Sequence, residues 1–134
     1  MHVDKLKMTC FRGAKLLPLD LHKRLNVFYG TNGSGKSSIL DATAILLSWL
    51  VNRIKYESSS GRPIQDTDIF NGEASANLDI TFDFNGIPLR WTLAKTRKGY
   101  SKRDVASALI STTYIAKQYS IILLTGQYQE KIGI

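Results

Sequence analysis

Only one of the 134 residues is a cysteine, Cys10. No disulfide can form within the chain, and a lone cysteine on an alternating stretch reads as a small buried strand residue in a reducing compartment rather than as a reactive thiol. No apolar run approaches the roughly 18 residues that a membrane-spanning helix requires. The first ten residues, MHVDKLKMTC, mix charges into an alternating pattern where a signal peptide would carry an apolar core. A cytoplasmic chain without membrane contact is the expectation. Acidic residues are missing between Arg90 and Arg103, a stretch that holds Arg90, Lys95, Arg97, Lys98, Lys102 and Arg103. The preceding stretch is the reverse, with Glu57, Asp66, Asp68, Glu73, Asp79 and Asp83 against Arg62. The basic segment can contact nucleic-acid phosphates, with Tyr100 available for stacking, or it can be a solvated strand end and loop. No internal repeat is visible, and 43% hydrophobic with 22% charged residues is ordinary for one soluble globular domain.

The most informative run that is present is Gly30 to Ser37, GTNGSGKS, which satisfies every position of GxxxxGK[ST]. A triphosphate is held by a concave array of backbone N–H donors, and Gly30, Gly33 and Gly35 remove side chains that would keep the backbone away from it. Lys36 supplies a compact positive charge for the β and γ phosphates, and the Ser37 hydroxyl suits a Mg²⁺ ion that keeps several of its waters. Ser38 and the first helical N–H groups face the α and β phosphates, where the helix dipole favours negative charge. The flanks fit. Leu25-Asn26-Val27-Phe28-Tyr29 reads as a short buried strand. Ile39, Thr43, Leu46, Leu50 and Ile54, widened by Leu40, Leu47 and Val51, predict an amphipathic helix from Ser37 to about Lys55. Strand, glycine loop and helix is the order a P-loop needs. No GxGxxG pattern follows the strand, which leaves a dinucleotide-binding reading without support.

Elsewhere the pattern is mostly β. Val3 to Thr9 and Lys15 to Leu21 read as two strands joined by a turn at Cys10-Phe11-Arg12-Gly13. Tyr56 to Gly72, rich in Ser, Gly and Asp, predicts an exposed and flexible connection. Leu78, Ile80, Phe82 and Phe84 then alternate with polar residues, Asn85-Gly86 intervenes, and Ile87, Leu89, Trp91 and Leu93 resume the alternation. This predicts a hairpin with a type I′ turn, and Pro88 predicts that its second strand lies at a sheet edge. Asp79 and Asp83 fall on the polar face of that hairpin, so a solvated face accounts for them better than catalysis. From Asp104 onward neither helical nor strand period dominates until Ile121-Ile122-Leu123-Leu124, which reads as a short buried strand. The expected division is a lobe over residues 1–103 and a tail over 104–134 that continues it or breaks off within it.

The run from Leu6 to Leu47 resembles the amino-terminal lobe of SMC-like and RecF-like ATPases, the ABC-type P-loop class. The matching pieces are the corner Cys10-Phe11-Arg12-Gly13, the returning strand, the strand before the loop, and GTNGSGKSSILDA from Gly30 to Ala42, where Asn32 and Asp41-Ala42 are specific to this class. Cys10 stands where the class usually carries Asn. The Ser-rich stretch followed by GRPIQDTDIFNGE, Gly61 to Glu73, resembles stand-alone ATPases of Septu-type and retron-associated anti-phage systems. The fold class so implied is α/β: a P-loop NTPase amino-terminal lobe with an antiparallel β-hairpin layer beside the P-loop helix.

That resemblance implies ATP and Mg²⁺ as ligands. Nucleotide contacts are expected from Arg12, Gly30, Asn32, Gly33, Ser34, Gly35, Lys36, Ser37 and Ser38, metal contacts from Ser37 and, as a Q-loop residue, Gln127, and the adenine side from the Asp66 to Asn71 region. It also implies head-to-head homo-dimerisation, a partner nuclease or DNA, and a role in anti-phage defence or repair. Hydrolysis in this class needs a Walker B Asp-Glu pair and a partner's Ser-Gly-rich signature. Ile121 to Leu124 is followed by Thr125-Gly126 instead of acids, and no LSGGQ-like segment occurs. The chain is small for a complete enzyme of this type, so a piece of a longer protein that binds nucleotide without efficient turnover is the expectation, with no catalytic residue assigned. Two other classes remain open: a non-enzymatic DNA-binding or assembly module on a P-loop fold, and a small P-loop kinase, for which no acceptor site or lid arginine is found.

Overall fold

A computed structural model describes residues 2–23, 35–56, 59–100 and 108–118. Two hairpins and a helix make the fold: strands β1 (His2–Phe11) and β2 (Ala14–Asp20), helix α1 (Lys36–Lys55), then strands β3 (Ser75–Phe84) and β4 (Ile87–Thr96). A 3₁₀ turn spans Asp66–Asp68, and residues 110–118 form a further helix, α2. Among the described residues the strands make one antiparallel sheet in the order β2-β1-β3-β4. Among the described residues β4 lies at one edge of this order, as Pro88 predicts, with an isolated bridge between Thr92 and Ala108 beside it. Asn85 and Gly86 have φ of 51° and 88°, the double left-handed pair that the predicted type I′ turn requires.

Period two decides which face is buried. On β3, Ala76, Leu78, Ile80, Phe82 and Phe84 point into the core, and the residues between them do not. The register aligns these side chains in rows across the sheet: Leu17, Met8, Leu78 and Leu93 form one, Leu19, Leu6, Ile80 and Trp91 the next. α1 covers this face with Ala42, Ile45, Leu46 and Leu50. Trp91 is fully buried, tilts against Phe82 with ring centroids 5.9 Å apart, and donates its indole N–H to the Leu46 carbonyl at 3.1 Å. A polar tip inside an apolar layer is thereby satisfied.

Three details depart from the sequence pattern. Leu40 and Val51, expected in the buried stripe of α1, are 61% and 46% exposed, because the sheet reaches only the face carried by Ala42, Ile45, Leu46 and Leu50. Cys10 is half-buried rather than buried. Its φ of 52° interrupts the β1 alternation, and Phe11 takes the place in the core.

The connection after α1 is the third. Its described part is fastened to the helix instead of hanging free. Asn52 donates to the Ser60 carbonyl at 2.8 Å, Trp49 Nε1 to the Arg62 carbonyl at 3.0 Å, and the Arg62 N–H to Ser48 Oγ at 2.7 Å. A Cβ at Gly61 would sit 2.5 Å from the Trp49 nitrogen, so only glycine allows this approach. Arg53 joins the same end of α1 to the start of α2, donating to the Leu109 carbonyl at 2.9 Å and to Thr112 Oγ1 at 2.8 Å. Ile115 of α2 joins the core.

Candidate functional site

α1 begins as a P-loop helix must. Gly35 occupies the N-cap with φ 96°, a left-handed angle that L side chains adopt at a cost, and its carbonyl accepts the first helical bond from Ile39 at 3.0 Å. Gly35 offers no side-chain cap, and no acid lies in the first turn, whereas Arg53 and Lys55 lie in the last. The amino end therefore presents its first-turn N–H groups and the positive end of the dipole, a setting that favours an anion. Lys36 and Ser38 are half-buried beside it, and Ser37 is exposed. Gly30, Asn32, Gly33 and Ser34, the strand expected over Leu25 to Tyr29, the strand over Ile121 to Leu124 and the predicted metal contact Gln127 lie outside the described residues.

Arg12 stands at the turn between β1 and β2, also left-handed at φ 53°. Both its backbone and its side chain are held. Its N–H donates to the Asp68 carbonyl at 2.5 Å, its Nε to Asp68 Oδ1 at 3.1 Å, and its Nη1 to Asp41 Oδ2 in the second turn of α1. The guanidinium also lies over the Phe11 ring, 5.1 Å from its centroid. Partial burial disfavours the charge, but the bonds to Asp41 and Asp68 outweigh that cost and raise the Arg12 pKa. The same bond holds the Asp41 carboxyl below its ordinary pKa. Next to it, partial burial and the charge of Glu73 push the Cys10 thiol up, which fits the unreactive reading.

Asp68 owes its position to the 3₁₀ turn. The Gln65 N–H donates to Asp68 Oδ2 at 3.0 Å, while the Gln65 side chain accepts from the Asp68 N–H, a reciprocal capping box. The turn is docked on the β1 corner by an isolated bridge between Phe11 and Ile69 and by the Phe70 N–H donating to the Cys10 carbonyl at 2.8 Å. Between corner and turn opens a cleft of about 310 Å³, lined by Arg12, Gly13, Thr67, Ile69, Phe70 and Asn71. The resemblance pointed to this segment and to Arg12. It gives Asp68, within that segment, no role of its own, although a polar residue followed three positions later by an acid and then an apolar residue, Gln65-Asp66-Thr67-Asp68-Ile69, is a readable capping signal.

The basic segment is largely engaged with the acidic stretch before it. Arg90 chelates Asp79 across the β3–β4 pair, Lys95 lies 3.8 Å from Asp66, and Arg97 donates to the Glu73 carbonyl at 3.2 Å. Lys102 and Arg103 lie outside the described residues. Asp79 is thus a cross-strand ion-pair partner on the polar face. Among the described residues no helix is long and apolar enough to cross a membrane, and no cluster of three or more His, Cys, Asp or Glu residues could hold a metal ion.

A profile of the AAA domain family matches residues 5–132. The chain belongs to that family. Within it the chain is of the SMC/RecF-like kind, with an α/β fold that sets an antiparallel sheet beside α1. Among its relatives, the probable ATPase of retron Ec83 from Escherichia coli is 30% identical over 105 residues, which cover 77% of this chain and 19% of that protein. The DNA replication and repair protein RecF of Saccharophagus degradans is 42% identical over 130 residues, covering 93% of this chain and 34% of that protein. A solved chain described with ATP-driven dimerization and DNA-stimulated activation of SMC ATPases is matched at a TM-score of 0.48 and 20% identity, over 84% of this chain and 80% of that one. The chain spans from about a fifth to about a third of the two curated relatives.

Proposed function

We propose that this AAA domain is the ATP-binding lobe of an SMC/RecF-like ATPase. Its triphosphate would lie on the amino end of α1, with Mg²⁺ beside Ser37. The observation that carries this reading is the helix end with no acid in its first turn, opened by left-handed Gly35 and followed by Lys36, Ser37 and Ser38, within the complete GTNGSGKS run. Those residues fit the ligands. The N–H groups of Gly35 to Ser38 can donate to phosphate oxygens, Lys36 can neutralise charge between the outer phosphates, and the exposed Ser37 hydroxyl suits a hard cation. Bound Mg²⁺ would draw charge from the β and γ phosphates. Arg12 would reach the phosphates from the β1–β2 corner, and the cleft beside Thr67 to Asn71 would take the base. Gly30, Asn32, Gly33 and Ser34 would complete the cradle and Gln127 would bear on the metal.

In the whole protein ATP binding would close two such heads on each other and act on DNA or a partner nuclease, in defence or repair. The similarity to a retron ATPase and to RecF supports that setting. The alternative, a DNA-binding module carried by Arg90 to Arg103, is less well supported because Arg90, Lys95 and Arg97 are already engaged within the chain. The test is calorimetric titration of Mg²⁺-ATP into the 134-residue chain. Binding that Lys36→Ala weakens by about tenfold or more is expected, with turnover far below about 1 s⁻¹. ATP binding indifferent to Lys36→Ala would refute the site, and turnover near 1 s⁻¹ would refute the need for further parts.

A further inference from the structure

Arg12 would be a poor phosphate ligand if it were free to move. An arginine at a strand corner loses rotamer entropy when it binds, and fixing it in advance removes that cost. The corner shows how it is fixed. Asp68 accepts from Arg12 twice, through its carbonyl at 2.5 Å and its Oδ1 at 3.1 Å, and its Oδ2 is tied to the Gln65 N–H at 3.0 Å. The Asp68 side chain is 13% exposed, that of Asp41 39%. Asp68 is thus the rigid and better shielded partner, held on three sides, whereas the bond to Asp41 sits where water competes. Thr67 and Ile69, on either side of Asp68, line the cleft, and Arg12 lines it too while reaching to α1.

We propose that Asp68 is a positioning residue: its carboxylate fixes the Arg12 guanidinium between the cleft and the amino-terminal half of α1, so that Arg12 meets the phosphates without first being ordered. This rests on the ATP-binding reading above. Asp68 touches no ligand itself, so its effect must pass through Arg12 and must grow with the number of phosphates bound.

The experiment measures affinities for Mg²⁺-ATP and for AMP in the wild-type chain, Asp68→Asn, Arg12→Ala, the double variant and Lys36→Ala, with thermal melting of each. Asp68→Asn is expected to weaken ATP about tenfold, the scale of one charge-assisted hydrogen bond, and to leave AMP within about twofold. In the Arg12→Ala background the same substitution should change ATP affinity by less than about twofold. Equal losses for ATP and AMP, or effects of Asp68→Asn and Arg12→Ala that add, would overturn the assignment and leave Asp68 a fold residue. Should Asp68→Asn melt too low to assay, Asp68→Ser keeps a small polar side chain at the turn, removes the carboxylate from Arg12 and must show the same preference for weakening ATP. ATP binding that needs Lys36 but ignores Asp68→Asn defeats this inference alone. A wild-type chain that binds no ATP defeats the nucleotide reading and this inference together.

Discussion

The covered face of the sheet and the corner around Arg12 lie side by side and are built on opposite principles. Beneath α1, rows of aliphatic and aromatic side chains from four strands interdigitate, and the Trp91 indole donates to the Leu46 carbonyl. At the corner, Phe11 and Ile69 reach the core, but the turn itself is held by directed bonds. Two residues hold left-handed angles, and the backbone of one strand turn is bonded to a 3₁₀ turn more than fifty residues away. Burial is non-directional and tolerates small shifts, whereas hydrogen bonds and ion pairs fix atoms in place. The first region supplies stability, and the second fixes a cation next to a helix terminus at some cost in strain.

The sharpest test of that contrast is Trp91→Ala. Among the described residues it removes the largest fully buried side chain, together with the indole bond to the Leu46 carbonyl, so a loss of about 3–5 kcal/mol is expected in denaturant unfolding. A loss below about 1 kcal/mol would mean that the sheet does not carry the fold.

Gly61→Ala comes next and tests the strap that carries the chain from α1 to the 3₁₀ turn. The added methyl would meet the Trp49 backbone at 2.5 Å, and because backbone cannot yield as a side-chain tip can, the strap must lift. The expected cost is about 1–3 kcal/mol, with faster amide exchange around Arg62 and Asp68. Gly13→Ala, with open space around its Cβ, is the matched control. Equal costs at both positions would show that the strap is not tight.

The two regions also differ in how far they could be read in advance. The β3–β4 hairpin, its Asn85-Gly86 turn, the edge position of β4 and the extent of α1 follow from periodicity and turn chemistry, which are local properties of the chain. The strap, the Arg53 link to α2 and the Arg12–Asp68 bond join residues far apart through side chain and backbone, and such bonds leave no period behind. α2 is hidden from the sequence pattern for a related reason. Its buried positions include Thr112, which pairs with Arg53 and caps its own turn at the Leu109 carbonyl, so polarity is a poor guide to burial there. Arg12 entered through resemblance, and its carboxylate partners became visible only in the fold.

Acid should separate the two regions as well. The Asp41 carboxyl is held below its ordinary value by the Arg12 bond. Its folded pKa is depressed, so its contribution is fully present above the unfolded value of about 3.9 and is lost as pH falls through the lower folded value. In Arg12→Gln the Asp41 share of this dependence disappears. Stability should then fall less steeply below about pH 4 than in the wild-type chain, while Trp91→Ala lowers the whole curve without changing its acid slope. Parallel acid slopes for wild type and Arg12→Gln would show that the Asp41 bond contributes nothing in solution.

The smallest effect expected is a gain. Cys10 holds φ 52° at the point where the resemblance expects Asn, and Asn enters the left-handed region several-fold more readily than most residues because its short side chain bonds locally. Cys10→Asn should therefore stabilise the chain by about 0.5 kcal/mol, less than the full left-handed penalty because the new amide is half-buried. Cys10→Ala keeps the strain, removes the sulfur's contacts and should be neutral or destabilising. If Asn and Ala at this position lower the melting temperature alike, conformational strain is not what distinguishes the corner, and its left-handed angles cost the fold nothing that a better residue could recover.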